Sequence, residues 1–299
     1  MIASDNMNSS ERILTKAADY LRRQEGIVIK KKNGKEIAIY PAEFLNEQMK
    51  GKYTIEKSSI VNDLARYAGL LPTLISVPMN LASEDWPVFE EELLKKELKK
   101  LGKEILETAR ASMPVEGSEN NTIISFRDKS DGKTHIALII NENILNDKQA
   151  PMVRVHSSCF TGDFLGSLRC DCGNQLKLAI EAIKNDGGGI LIYLNQEGRG
   201  IGITNKIRAY KLQECGMDTY EANNTLGFAD DERDFNIAVL ILKHLGFDKI
   251  KLLSNNPRKV TELRKYGITI SKRIPIVTKT GKHNERYMKA KKEKAGHML

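Results

Sequence analysis

A chain of 299 residues has room for two modest domains, each with its own core, and its four cysteines are too few for a disulfide scaffold. Its opening residues are charged throughout and no apolar run reaches membrane-spanning length, so neither a secretory leader nor a membrane partner is expected, and a reducing cytoplasm is the expected compartment. The net charge of +8 attracts polyanions, whether nucleic acids or small phosphates.

In chain order, Ser10 to Arg23 has helical periodicity, with Ile13, Ala17 and Leu21 on one face and Gly26 beyond the end. Ile27 to Lys31 and Ile37 to Tyr40 flank Asn33-Gly34, a pair suited to a tight hairpin turn. Ser59 to Tyr67 is helical again. Pro87 is expected in the first turn of a long charged helix in which Leu94, Leu98, Leu101 and Ile105 recur at spacings of four, three and four. That stripe reads as a packing face rather than a cofactor box. The lysine runs Lys95 to Lys103 and Lys289 to Lys294 read as solvated helix faces without interleaved aromatics, so nucleic acid is not the expected partner.

Pro114-Val-Glu-Gly-Ser-Glu-Asn-Asn is rich in turn residues and marks an expected domain boundary, dividing an accessory segment 1–115 from a catalytic segment 116–299. Beyond it, strand-like runs at Thr134 to Asn141, Met152 to Val155, Gly189 to Leu194 and Lys249 to Leu253 alternate with helical stretches. The helices are expected at Asn174 to Asn185, Thr204 to Gln213, Asp231 to Leu245 and Pro257 to Tyr266. This alternation predicts an α/β domain, and the segment before it a smaller, mostly helical α+β domain.

Three of the four cysteines fall in Cys159-x10-Cys170-Asp171-Cys172. Three thiolates from one short segment are the protein ligands of an open tetrahedral zinc site whose fourth position takes water, which is hydrolytic chemistry. Two blander readings stand beside it: buried thiols that only pack, and a closed structural site completed by His156. Next, Tyr193-Leu-Asn-Gln-Glu-Gly-Arg-Gly-Ile-Gly runs from a strand through a glycine-rich turn into a helix whose free amides can hold an anion. Within it, Glu197 offers two acceptors for a guanine N1 and N2 edge, or is an ordinary surface carboxylate; Arg199 offers a fork for phosphate. Asp231-Glu-Arg233-Asp reads most simply as a helix cap complementing the dipole. In Leu253-Ser-Asn-Asn-Pro-Arg-Lys259 the two cations oppose the helix macrodipole, a conflict that an external anion relieves, which singles out Lys259.

Taken together, Arg154-Val-His-Ser, Thr161-Gly-Asp, Ser167-Leu-Arg-Cys-Asp-Cys-Gly, Gln175-Leu, Gln196-Glu-Gly-Arg-Gly-Ile-Gly, Asn205-Lys-Ile-Arg-Ala-Tyr, Asp218-Thr, Glu221-Ala-Asn, Leu226-Gly-Phe, Asp231-Glu-Arg-Asp-Phe and Asn255-Asn-Pro-Arg-Lys resemble GTP cyclohydrolase II, in order, from about Thr134 to His297. The end of the chain, Asn284 to His297, is similar to that family's tail. The resemblance implies a mixed-sheet catalytic domain that opens the imidazole ring of GTP by zinc-dependent hydrolysis, releasing formate from C8 and pyrophosphate. The product would be 2,5-diamino-6-(5-phosphoribosylamino)pyrimidin-4(3H)-one, in the first step of riboflavin biosynthesis.

By the same resemblance Cys159, Cys170 and Cys172 hold one zinc per subunit, and Tyr210 assists at the ring. Arg233 attacks the α-phosphate with Asp231 as proton acceptor. GTP is contacted by Arg154, Val155, His156, Ser157, Ser158, Gln175, Glu197, Gly198, Arg199, Thr219, Ser254 and Lys259, with Mg²⁺ on the triphosphate, in a homodimer. The chain departs from the family at Ser158, usually glutamate, and at Ser254, usually threonine. Leu21-Arg-Arg-Gln-Glu-Gly-Ile-Val-Ile with Pro41-Ala-Glu resembles the opening of a 3,4-dihydroxy-2-butanone 4-phosphate synthase domain, but that enzyme's acidic metal-binding run is missing, so the first 115 residues are expected to be non-catalytic. A nucleobase deaminase would need H-x-E and P-C-x-x-C signatures that are absent. The remaining alternatives are a divergent paralogue acting on a related nucleotide or base and a non-catalytic zinc-dependent nucleic-acid-binding module.

Overall fold

Among the described residues, the apolar periodicity of the first hundred positions resolves into three α-helices laid on one sheet. The computed structural model describes residues 9–45, 51–56, 59–71, 73–100, 104–145 and 150–278. It divides into two units, Met1–Gly102 with Asn224–Ala229, and Lys103–Asn223 with Asp230–Leu299.

In the first unit the helices are α1 (Ser9–Arg22), α2 (Ser59–Tyr67) and α3 (Glu91–Lys100). The strands β1 (Ile27–Lys30), β2 (Glu36–Pro41), β3 (Thr54–Ile55), β4 (Leu74–Val77) and β5 (Val88–Glu90) lie in the order β3-β4-β2-β1-β5. Leu14, Ala17 and Leu21 of α1 meet Ile60 and Leu64 of α2 and Leu94 of α3 over Ile27, Ile29 and Ile39 of the sheet. Each fully buried aliphatic side chain of this kind contributes about 1.5–3 kcal/mol, which is what seats short helices on the sheet. The expected hairpin is there, with Ile27 opposite Ile39, Lys30 opposite Glu36, and Gly34 turning the chain at φ +79°. The expected helix at Pro87 is not: Val28 N donates to Pro87 O, and Val88 to Glu90 pair in parallel with β1, so backbone pairing holds this stretch extended until Glu91.

The second unit contains β6 (Ile105–Ser112), β7 (Asn121–Asp128), β8 (Thr134–Ile140), the single turn α4 (Glu142–Leu145), β9 (Met152–Ser157) and α5 (Cys172–Asn185). There follow β10 (Gly189–Leu194), α6 (Gly202–Glu214), α7 (Thr219–Thr225, its last two residues grouping with the first unit), α8 (Asn236–His244), β11 (Lys249–Leu253), α9 (Pro257–Lys265) and β12 (Thr269–Ile274). Its sheet runs β12-β11-β9-β10-β8-β7-β6. β6, β7, β8 and β10 are antiparallel neighbours, whereas β10, β9, β11 and β12 are parallel.

Two expectations are corrected here. Ile105 belongs to β6, not to the leucine stripe of α3, because the whole strand from Ile105 to Ser112 pairs with β7. For the same reason the second unit starts before residue 116, and Pro114 to Asn120 joins two strands inside one sheet instead of separating domains. The tail from Asn284 and the lysines at 289–294 lie outside the described residues.

The parallel strands β9 and β10 are buried along nearly their full length, as strands covered on both faces must be. Phe235, Ile237 and Ile241 from α8 and its entry cover one face with Leu263 of α9, while Ile183 of α5 packs with Leu138, Ile140 and Leu191 on the other. From β9 the chain crosses to β10 on one side, and β11 then returns to β9's other side. Such a reversal opens a crevice at the carboxyl ends of the strands, where ligands bind in open α/β sheets.

Candidate active site

The carboxyl ends of β9, β10 and β11 deliver three of the four segments singled out in the sequence, Asp231 to Asp234 being the exception. Cys159 follows β9, Cys170 and Cys172 come at the start of α5, and their sulfurs all lie within 4.8 Å of one another. Cys159 Sγ and Cys170 Sγ are 3.7 Å apart, and all three cysteines are free thiols. Around a tetrahedral zinc with Zn–S near 2.3 Å, neighbouring sulfurs stand about 3.8 Å apart, so the trio has the spacing of one face of such a site. Thiolate character centres on Cys159, held far below the ordinary thiol range by hydrogen bonds from Cys170 and Cys172 and by nearby Lys206; Cys170 and Cys172 are pushed up.

Glycine allows this convergence. A Cβ on Gly162 would stand 2.8 Å from Cys170 Sγ and 3.1 Å from Cys159 Sγ, and one on Gly173 would meet Gly162 O at 2.2 Å. The turn Phe160–Phe164 therefore lies directly over the sulfurs and the first turn of α5.

His156 is not a fourth ligand. Its Nε2 donates to both oxygens of Asp163 at 3.1 Å, and the carboxylate also accepts from Tyr193 OH at 2.9 Å and from Cys159 N at 2.9 Å. Burial lowers the His156 pKa despite Asp163, leaving a neutral ring stacked on Tyr193. The cluster of mutually close donors holds the three sulfurs and not His156, so the closed structural site has no fourth donor among the described residues, while Asp163 fixes the backbone at the first sulfur.

On the other side of Cys159 stands Lys206 of α6. Its Nζ lies 3.1 Å from Cys159 Sγ, 2.9 Å from Thr161 Oγ1 and 2.7 Å from Glu197 Oε1. Burial opposes its charge, but the Glu197 carboxylate and the Cys159 thiolate outweigh that and raise its pKa. Tyr210 OH sits 3.3 Å from Thr161 Oγ1, and burial keeps it a phenol.

Beside the sulfurs a cavity opens, with Cys172 and Gln175 in one wall and Arg154, His156 and Ser157 of β9 in another. Arg199, Arg233, Ser254, Asn255, Asn256, Lys259 and Ile276 complete the lining. Four of these side chains, Arg154, Arg199, Arg233 and Lys259, are basic and none is a carboxylate, so the cavity is an anion cradle. Arg154 is buried, with NH2 donating to Gln175 Oε1 at 2.7 Å and NH1 to Leu253 O at 3.1 Å; its Nε has no partner among the described residues. Burial brings its pKa down to about 10, still charged at neutral pH. Lys259 donates to Val155 O at 2.8 Å, and Asn256 caps α9 by accepting from Arg258 N at 2.9 Å. Arg233 turns Nε and NH2 onto Asp231 at 2.7 and 2.6 Å, and Arg258 clamps both residues' carbonyls from α9. Burial works against the Asp231 carboxylate, but Arg233 prevails and its pKa is lowered.

Asp231 to Asp234 are a loop and not the expected helix start. Asp231 is occupied by Arg233, and Asp234 Oδ1 accepts from Asn236 N, where α8 begins. The structure brings Arg154, His156, Ser157, Gln175, Arg199, Arg233, Ser254 and Lys259 to the cavity beside the cysteines. Val155 faces the core and contributes its carbonyl, and Ser158 Oγ is buried without a partner among the described residues. Gly198 and Arg199 turn the chain at φ 61° and 62°, a conformation costly for arginine that aims its side chain at the cavity. Thr219 begins α7 and accepts from Gln213 Nε2 at 3.5 Å, outside the lining.

Glu197 corrects the sequence reading most. Its carboxylate accepts from Phe160 N at 2.6 Å, Gly198 N at 3.1 Å and Lys206 Nζ at 2.7 Å, so three of its roughly four acceptor sites are filled from within the chain. It does not hold a free edge toward a purine. Asp163 and Lys206 went unassigned in the sequence, although both sit inside motifs already singled out, Thr161-Gly-Asp and Asn205-Lys-Ile-Arg-Ala-Tyr.

The family model for GTP cyclohydrolase II matches residues 107–275. GTP cyclohydrolase-2 of Azotobacter vinelandii is 51% identical over 178 residues, 60% of this chain and 85% of that protein. GTP cyclohydrolase-2 of Azospirillum brasilense is 41% identical over 247 residues, 79% of this chain and 63% of that protein. Riboflavin biosynthesis protein RibBA of Phocaeicola vulgatus is 41% identical over 254 residues, 79% of this chain and 62% of that protein. The chain thus spans somewhat under two thirds of the length of these last two relatives.

Proposed function

Because the chain belongs to the GTP cyclohydrolase II family, we propose that it opens the imidazole ring of GTP by hydrolysis, releasing formate and pyrophosphate and leaving a diaminopyrimidine ribotide for riboflavin biosynthesis. The observation that carries this reading is the adjacency of three converging sulfurs to a cavity walled by four cations. Zinc held by Cys159, Cys170 and Cys172 would supply the Lewis acid that activates water against the purine C8.

The remaining roles belong to the chain's own groups. Arg154, Arg199, Arg233 and Lys259 neutralise the triphosphate, which Mg²⁺ accompanies, and orient it with C8 toward the sulfurs. Tyr210, kept protonated, donates a hydrogen bond beside the ring being opened. In pyrophosphate release a guanidinium nitrogen of Arg233 bonds to the α-phosphorus, the α–β bridging oxygen departs with pyrophosphate, and water later cleaves the P–N bond to free the 5'-phosphate and restore the arginine. Asp231, already against Nε and NH2, takes the proton. The working form is a cytoplasmic homodimer, and the first unit is a non-catalytic accessory, a reading supported by the Azotobacter relative, 85% of which is matched by only 60% of this chain.

The test is to incubate zinc-loaded protein with GTP and Mg²⁺ and to quantify formate, pyrophosphate and the pyrimidine product by mass spectrometry. Stoichiometric formate and pyrophosphate are expected. Unchanged GTP together with salt-sensitive RNA binding would favour a non-catalytic module instead.

A further inference from the structure

We propose that Lys206 and Glu197 act on the metal centre rather than on the nucleotide: Lys206, braced by Glu197, donates a charge-assisted hydrogen bond to the Cys159 sulfur and sets how much electron density that sulfur gives the metal. The inference rests on the three-sulfur metal site of the reading above and is independent of which nucleotide is bound.

The geometry is closed on every side. An ammonium has three protons, and Lys206 Nζ has three acceptors within 3.1 Å, namely Cys159 Sγ, Thr161 Oγ1 and Glu197 Oε1. The lysine is only 9% exposed, so its charge acts through a low-dielectric environment on the atom it touches. Glu197 is equally buried, and its other contacts, to Phe160 N and Gly198 N, tie the carboxylate to the residue after Cys159 and to the turn after β10. Neither side chain lines the cavity. Their position beside a ligand and behind the cavity wall is that of groups that tune a metal through its ligand.

Charge gives the reason. Three thiolates and a divalent cation sum to one negative charge, which lowers the Lewis acidity a hydrolytic centre needs. A cation hydrogen-bonded to one sulfur withdraws density from it and restores part of that acidity. Glu197 moderates the effect, because a carboxylate at 2.7 Å offsets part of the field that Lys206 exerts on the sulfur.

Cobalt(II) substitution reads this directly, since the sulfur-to-cobalt charge-transfer band reports the energy of the sulfur lone pairs. In the full-length protein Lys206→Met is expected to move the band to longer wavelength, and Lys206→Arg to return it toward the native position. Glu197→Gln, which leaves the cation without its counter-charge, is expected to move it to shorter wavelength. A Lys206→Met protein that binds cobalt with an unshifted band would overturn the proposal. If that variant does not fold, Glu197→Gln decides alone, and a band that stays put or moves to longer wavelength rejects the assignment. Native protein that takes up cobalt without any sulfur charge-transfer band would reject the metal site itself, so the two failures are distinguishable.

Discussion

Removing one sulfur from the trio leaves a pair that no longer encloses a divalent ion. Cys170→Ala is therefore expected to lower bound zinc from one per chain to near zero and to abolish formate release; a metal-free variant with full activity would refute the hydrolytic reading, and metal analysis beside a formate assay checks both. Arg233→Ala is expected to separate the two halves of the reaction, because Arg233 lines the cavity, is held by Asp231 and is not among the sulfur ligands. Pyrophosphate release is expected to fall by at least about 10⁴-fold while formate still appears, because the substitution removes the nucleophile itself. The three cysteines were legible in the sequence because they are close in the chain. Lys206 was not, since its contact with Cys159 spans 47 positions and a lysine on a helix normally faces solvent.

At the scale of elements, the strands supply the site and their ends must be pinned. Asn195, just past β10, donates its N–H to His135 Nδ1 at 3.0 Å, so the imidazole proton sits on Nε2 of a ring only 1% exposed. Burial pushes the His135 pKa down to about 4 from an ordinary 6.5, with smaller effects from Asp131, Lys133 and Asp234. Between those values the unfolded chain takes up a proton that the folded chain refuses, so stability falls as pH drops from 6.5 toward 4, by about 3 kcal/mol in all. His135→Gln is expected to lose that component, which urea denaturation at several pH values measures; parallel profiles for the two proteins would contradict it. Helices with a clean apolar stripe and strands buried on both faces were legible in the sequence. β6 was not, since Ile105 continues the leucine spacing of α3 and only pairing with a partner strand reveals it as extended. Asp231 to Asp234 misled for a related reason, the same acids that cap a helix being here engaged by Arg233 and by the entry to α8.

For the whole molecule, each unit has its own sheet and its own buried cluster, Leu14 to Leu94 in one and Ile124 to Ile270 in the other. The cavity and the three sulfurs all belong to the second. A fragment of residues 103–299, the second unit together with the short stretch Asn224–Ala229 that groups with the first, is expected to fold, bind one zinc and turn over GTP at a rate within about an order of magnitude of the full chain. Circular dichroism and the formate assay check this; a folded fragment that holds zinc and is inert would assign the first unit a part in catalysis. The most direct measurement of the central claim follows the reacting carbon. With GTP labelled with ¹³C at C8, zinc-loaded protein is predicted to transfer the label to free formate, seen as a new carboxylate resonance, and to stop doing so when zinc is chelated. Label that stays in an intact purine would contradict the account.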